Sequence, residues 1–279
     1  LGEGGDSPTG DASFTGALVG RGDSVYVFDP RHQTMTTYSP DYRFVRSTSL
    51  EFGVAASVVS VGDRFVANRM VRSPERIGFP LHLISFDGQV LRSFGSESGF
   101  YRADFGEVLE IRALASDDSA VWAGWTNQYL VERWDIRGQR TQVVRRDVDW
   151  FEPWWRSQTD FALPPSPRLT AIQVQGDTLW VMVRIAASGW RAGIRSVDET
   201  GRRYVVHDRE RYQDTIVEAL DLRKGEVISS SRFPQILYGF IGPGLVFGAS
   251  EDAVGNPIVP IWELQLIVVR TPQPNGGRL

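Results

Sequence analysis

The stretch Gly22-Asp23-Ser24-Val25-Tyr26-Val27-Phe28-Asp29 is a tight turn followed by an alternating apolar strand. Its echoes decide the fold. The phrase returns at Gly62-Asp63-Arg64-Phe65-Val66-Ala67, at Asp118-Ser119-Ala120-Val121-Trp122-Ala123 and at Gly176-Asp177-Thr178-Leu179-Trp180-Val181. A weaker copy stands at Gly242-Pro243-Gly244-Leu245-Val246-Phe247. Each copy follows a short apolar strand, at 17–19, 58–61, 111–115, 169–174 and 236–241. Most copies lead into a second signature, two strands joined by a polar turn, as in Tyr38-Ser39-Pro40-Asp41-Tyr42-Arg43-Phe44-Val45. Asp87-Gly88, Arg137-Gly138 and Lys224-Gly225 put glycine where a hairpin turn needs positive φ.

Four short strands per unit, recurring at about 40 to 65 residues, read as blades of an all-β propeller rather than a solenoid or a sandwich. Five blades are recognisable, at 15–50, 55–96, 108–148, 166–233 and 235–269. They make one propeller domain, 15–269, between a Gly/Ser-rich segment at 1–14 and a tail at 270–279. The fourth blade is long, and its excess is expected as a hairpin extension at 190–207. Residues 71–80 and 149–167 are the other excursions. No helical periodicity stands out, and the best helical stretch, 210–220, is expected as a loop or short turn between strands.

Composition narrows the function classes. Apolar residues at 42% suffice for a sizeable core. A net charge of −4, with no basic cluster, argues against nucleic acid as the main partner. The chain has no cysteine, which excludes disulfides, thiolate metal sites and cysteine nucleophiles. No run approaches the roughly 18 apolar residues of a membrane-spanning helix.

At the phrase of residues 22–45, with Leu1-Gly2-Glu3-Gly4-Gly5 upstream, the chain resembles bacterial six-bladed β-propeller proteins related to NHL-repeat propellers. Tyr26, Val27, Asp29, Pro40, Asp41, Phe44, Val45, Arg46 and Ser47 carry the likeness. It implies an exported, extracytoplasmic bacterial protein and no single activity. It also implies a sixth blade, so the five here are expected to form a six-bladed ring lacking its N-terminal blade. A closed five-bladed ring is the rival.

Candidate sites are few. Arg21-Gly22-Asp23 spells an integrin-type tripeptide, but its Gly-Asp is the repeat turn. The most unusual segment is Asp149-Trp150-Phe151-Glu152-Pro153-Trp154-Trp155-Arg156, outside the strand repeat. Aromatics beside an arginine are what binding surfaces are enriched in, so Trp150, Phe151, Trp154, Trp155 and Arg156 are the candidate ligand-binding residues. The competing reading is a loop that plugs an inter-blade gap with its own tryptophans. His32, His82 and His207 lie in different blades and form no metal-ligand pair. Only Glu107 and Glu110 lie close to the strands expected to line the channel, and no pair of carboxylates is spaced for acid–base work. No catalytic residue, metal or cofactor is therefore expected. The expected function is a non-enzymatic binding or scaffold propeller with a protein or glycan partner. The alternative is a metal-dependent lactone hydrolase or lyase of the six-bladed type.

Overall fold

A computed structural model describes residues 17–19, 23–29, 32–51, 57–69, 76, 78–95, 111–117, 119–155, 160–197, 204–252 and 254–266. The expected architecture is present: an all-β propeller of five antiparallel blades. Blade one runs β1 (Ala17–Val19), β2 (Val25–Asp29), β3 (Thr34–Tyr38) and β4 (Phe44–Ser49). Blade two is β5 (Ser57–Val61), β6 (Arg64–Asn68), β7 (Leu81–Ile84) and β8 (Val90–Phe94). Blade three is β9 (Arg112–Asp117), β10 (Ala120–Trp125), β11 (Leu130–Asp135) and β12 (Arg140–Arg145). Blade four opens with β13 (Arg168–Gln175) and β14 (Thr178–Ala186). It then detours through a 3-10 turn (Trp190–Gly193), a small hairpin of β15 (Ile194–Ser196) and β16 (Tyr204–Val206), and a helical turn α1 (Arg209–Tyr212). It closes with β17 (Gln213–Asp221) and β18 (Glu226–Phe233). In blade five, β19 (Gly239–Gly242) and β20 (Leu245–Phe247) are followed by an inserted hairpin, β21 (Ser250–Glu251) with β22 (Pro257–Ile258). The strand β23 (Ile261–Glu263) then returns to pair with β20.

One local expectation is corrected. Residues 213–220, expected as loop, are the third strand of blade four, fully paired with β14 on one side and β18 on the other. The run Thr215-Ile216-Val217 is β-branched and buried on both faces, so it extends as a strand, and only Arg209–Tyr212 just before it takes a helical turn.

The first strand of each blade packs beside the first strand of the next, from β1 through β5, β9 and β13 to β19, which makes these the innermost strands. The Gly-Asp turns join them to the second strands, with Gly62 and Gly176 at φ +58° and +57°, a region closed to most side chains. In blades two to four the second strands lie between neighbouring blades and are buried on both faces, whereas β2 of blade one alternates in burial. In β6, Phe65 and Ala67 pack with Tyr26, Phe28 and Met35 of blade one, while Val66 packs toward Leu114 and Val121 of blade three. That is why Ala120–Trp125 reads as an unbroken apolar run and not as an alternation. The outer strands face solvent and are correspondingly polar.

A repeated polar tie holds neighbouring blades at their outer edges. A fourth-strand side chain donates to a carbonyl in the turn between the third and fourth strands of the next blade. Arg46 Nη2 donates to the Phe86 carbonyl at 2.8 Å, Arg92 Nη1 to Arg137 at 2.9 Å, and Gln142 Nε2 to Leu222 at 3.0 Å.

Candidate functional site

The connection from β12 to β13 crosses the propeller face that also carries the turn 126–129 between β10 and β11. The two are tied together. The Trp154 amide donates to the Asn127 carbonyl at 3.2 Å, and Asn127 Nδ2 donates to the Trp154 carbonyl at 2.7 Å. The indole of Trp154 is 8% exposed, and its Nε1 finds the Pro167 carbonyl at 2.6 Å, the partner a buried indole needs. The Arg168 guanidinium lies 5.2 Å from the Trp154 ring centre.

Phe151, 3% exposed, stacks on Tyr129 with ring centres 5.8 Å apart and planes 19° apart. Trp150 tilts against the same tyrosine at 5.8 Å and packs on the core between blades three and four. Trp155, at 44%, faces outward. The segment therefore brings Trp150, Phe151 and Trp154 together over one inter-blade seam and leaves Trp155 at the surface. Arg156 lies outside the described residues.

Beneath this segment sits a charged network that composition alone did not reveal. Tyr129 Oη and Arg146 Nη1 both donate to Oε2 of Glu218, a carboxylate only 2% exposed. Burial, and then the Glu218 charge, push the Tyr129 hydroxyl above its ordinary range, so it remains a donor. The network joins the residue that follows β12 and the turn 126–129 of blade three to β17 of blade four.

Other buried ionisable groups are similarly engaged. Glu132 accepts from Trp125 Nε1 at 3.1 Å and from Arg140 at 2.7 Å. The Arg112 guanidinium lies 3.4 Å from the centre of the Trp125 ring. His82 bonds the Ser93 hydroxyl and the Arg69 carbonyl, both at 2.8 Å, and burial lowers its pKa to about 4. Asp117 is held at about 2. Burial opposes the shift, but Arg133, the Ser119 amide and Trp122 Nε1 outweigh it. No three His, Cys, Asp or Glu side chains converge as metal ligands among the described residues. Glu107 and Glu110 lie outside those residues, as do Arg21 and Gly22 of the Arg-Gly-Asp tripeptide.

Sequence reading picked out the aromatic segment and missed its receptors, Asn127, Tyr129 and Glu218. The available signal was Glu218 itself, a lone acid inside the apolar run of β17.

No protein-family model and no curated protein sequence matches the chain. Solved structures do resemble it. A member of the DUF4221 family from Bacteroides vulgatus aligns with a TM-score of 0.56 at 11% identity, covering 92% of this chain and 81% of that one. A candidate exported protein of Bacteroides fragilis aligns at 0.53 and 8% identity, covering 84% of this chain and 65% of that one. At these identities the likeness extends to the fold alone.

Proposed function

We propose that this chain is a non-catalytic binding propeller that engages a protein or glycan through the face carrying the 150–156 segment. The observation that carries this is the arrangement of the segment. Both backbone groups of Trp154 are tied to Asn127 and its indole is sunk in the seam, so the adjoining Trp155 stands exposed on a rigid base. Large aromatic groups presented by an ordered backbone lose little entropy on contact and anchor many interfaces. The buried acids Glu132 and Glu218 are engaged in closed structural networks, which supports binding over chemistry.

The finer reading is an exported six-bladed ring. On the far side of blade five, Leu245 and Ile261 share an exposed face opposite the one that packs on blade four. An apolar sheet face of this kind is what a further blade covers. The likeness to a candidate exported protein supports the location. Antibody detection in cell fractions of the native host tests it, and a purely cytoplasmic signal would refute it.

The binding test compares the chain with Trp155→Ala on arrayed glycans and on immobilised cell-surface proteins. Capture should be lost in the variant while its melting midpoint stays at the parent value. Equal capture by both proteins, or none by either, would overturn the reading.

A further inference from the structure

One cation at the seam between blades four and five has no counter-charge among the described residues. Strand register sets Arg184 of β14 directly opposite Arg168, the first residue of the innermost strand β13. Both belong to the sheet face that carries Trp180 and Met182 and packs on blade five. Directly opposed side chains hold their Cβ atoms about 4.5–5.5 Å apart, and like charges so placed destabilise a sheet. The guanidinium carbon of Arg184 lies 4.9 Å from the centre of the Tyr238 ring, contributed by blade five. Its Nε is enclosed and meets no hydrogen-bond acceptor. The acid nearest in register, Asp214, neighbours the Arg184 partner Thr215 but is held by Arg232. Burial lowers the Arg184 pKa and Tyr238 opposes this, while the charges of Arg209 and Arg168 add to the lowering.

A cation partly withdrawn from water is ordinarily paired, because the desolvation it suffers is otherwise uncompensated. Here positive charge converges on Arg184 from two other arginines, and the acid closest in register is already taken. We propose that Arg184 and Arg168, backed by the Tyr238 ring, form an oxyanion site for a ligand's carboxylate, phosphate or sulfate group at the inner end of this seam. The planar guanidinium fork matches two oxygens of such a group with parallel N–H donors. An aromatic ring against the guanidinium face fixes its plane, leaving the edge to the anion. The site rests on contacts of blades four and five, and its Arg168 also lies 5.2 Å from the Trp154 ring that anchors the segment carrying Trp155.

The test is a melting titration with sodium sulfate, sodium phosphate and sodium glucuronate, against sodium chloride at matched ionic strength. The proteins are the parent chain, Arg184→Met and the surface control Arg137→Gln. Sulfate and phosphate also stabilise by exclusion from protein surface, but that effect is shared by every variant and does not saturate. Expected is a saturable rise of several degrees in the parent and in Arg137→Gln, absent in Arg184→Met. The anion that saturates at the lowest concentration identifies the group the site takes. In chloride, Arg184→Met should melt no lower than the parent, since it removes a half-buried charge whose Nε has no acceptor among the described residues. A parent chain with no saturable rise for any of the three anions would overturn the proposal, as would an undiminished rise in Arg184→Met. Should Arg184→Met not fold, Arg168→Gln takes its place, with a several-fold higher half-saturating concentration expected. An unchanged value there would equally defeat the proposal.

Discussion

Replacing Trp154 with alanine separates the anchoring part of the aromatic segment from its exposed part. Burial of the indole is nearly complete, and it also donates to Pro167 and lies under Arg168. Truncation of a buried tryptophan costs about 3–5 kcal/mol through lost apolar contact and the cavity left behind. Loss of the indole N–H leaves the Pro167 carbonyl without that donor, worth about 1 kcal/mol net, and the ring's contact with Arg168 adds roughly 0.5–1 kcal/mol. These contributions overlap within the measured range for such truncations. The two hydrogen bonds with Asn127 survive, because they use the backbone of residue 154. The segment should therefore stay seated while water reaches the seam, which favours the lower half of the range, about 3–4 kcal/mol. For a domain of this size that lowers the melting midpoint by roughly 5–7 °C. Chemical denaturation followed by far-UV circular dichroism measures it. Trp155→Ala, run alongside, should change stability by about 1 kcal/mol or less, as exposed substitutions do. A Trp154→Ala protein melting within a degree of the parent would refute the anchoring role. Equal destabilisation by the two substitutions would show that the division between them is wrong.

Tyr129→Phe keeps the stacking on Phe151 but deprives the buried Glu218 carboxylate of a donor, leaving Arg146. A loss of about 1–3 kcal/mol is expected by urea unfolding, and a neutral result would mean that the network contributes nothing. Acid should weaken the fold in two windows. His82 is protonated more readily in the unfolded chain, so stability present above about pH 6.5 declines as pH falls toward 4. Asp117 titrates lower when folded, so its contribution holds above its unfolded value and fades as pH falls toward 2. Unfolding midpoints measured across pH should show the upper slope reduced in His82→Gln and the lower one reduced in Asp117→Asn, and unchanged slopes would contradict these assignments. Gly138→Ala and Gly225→Ala both place a methyl at positive φ, +76° and +72°. Only the first meets a neighbour, Phe94 Cβ at 2.8 Å, so it should be the more destabilising of the two by calorimetry.

The sequence by itself determined the fold class, because turns and strand alternation are local. Gly62-Asp63 and Gly176-Asp177 mark positive-φ turns, and Val25-Tyr26-Val27-Phe28 alternates in burial as a sheet packed on one face should. Repetition of those local signals made the blades legible without any contact map. It misread residues 213–220, where a helical-looking segment is held extended by strands on both sides. What only the tertiary structure decided was the fate of each polar or aromatic group that meets a partner distant in the chain. Whether Trp154 faces solvent or the seam depends on Asn127 and Pro167, and Glu218 finds Tyr129 across 89 positions of sequence. The opposition of Arg168 and Arg184 is a fact of register, and the absence of an acceptor for Arg184 Nε among the described residues is a fact of packing. Local propensity carries no record of such pairings. They arise when blades are pressed together and each buried charge must take whatever neighbour the adjoining sheet supplies.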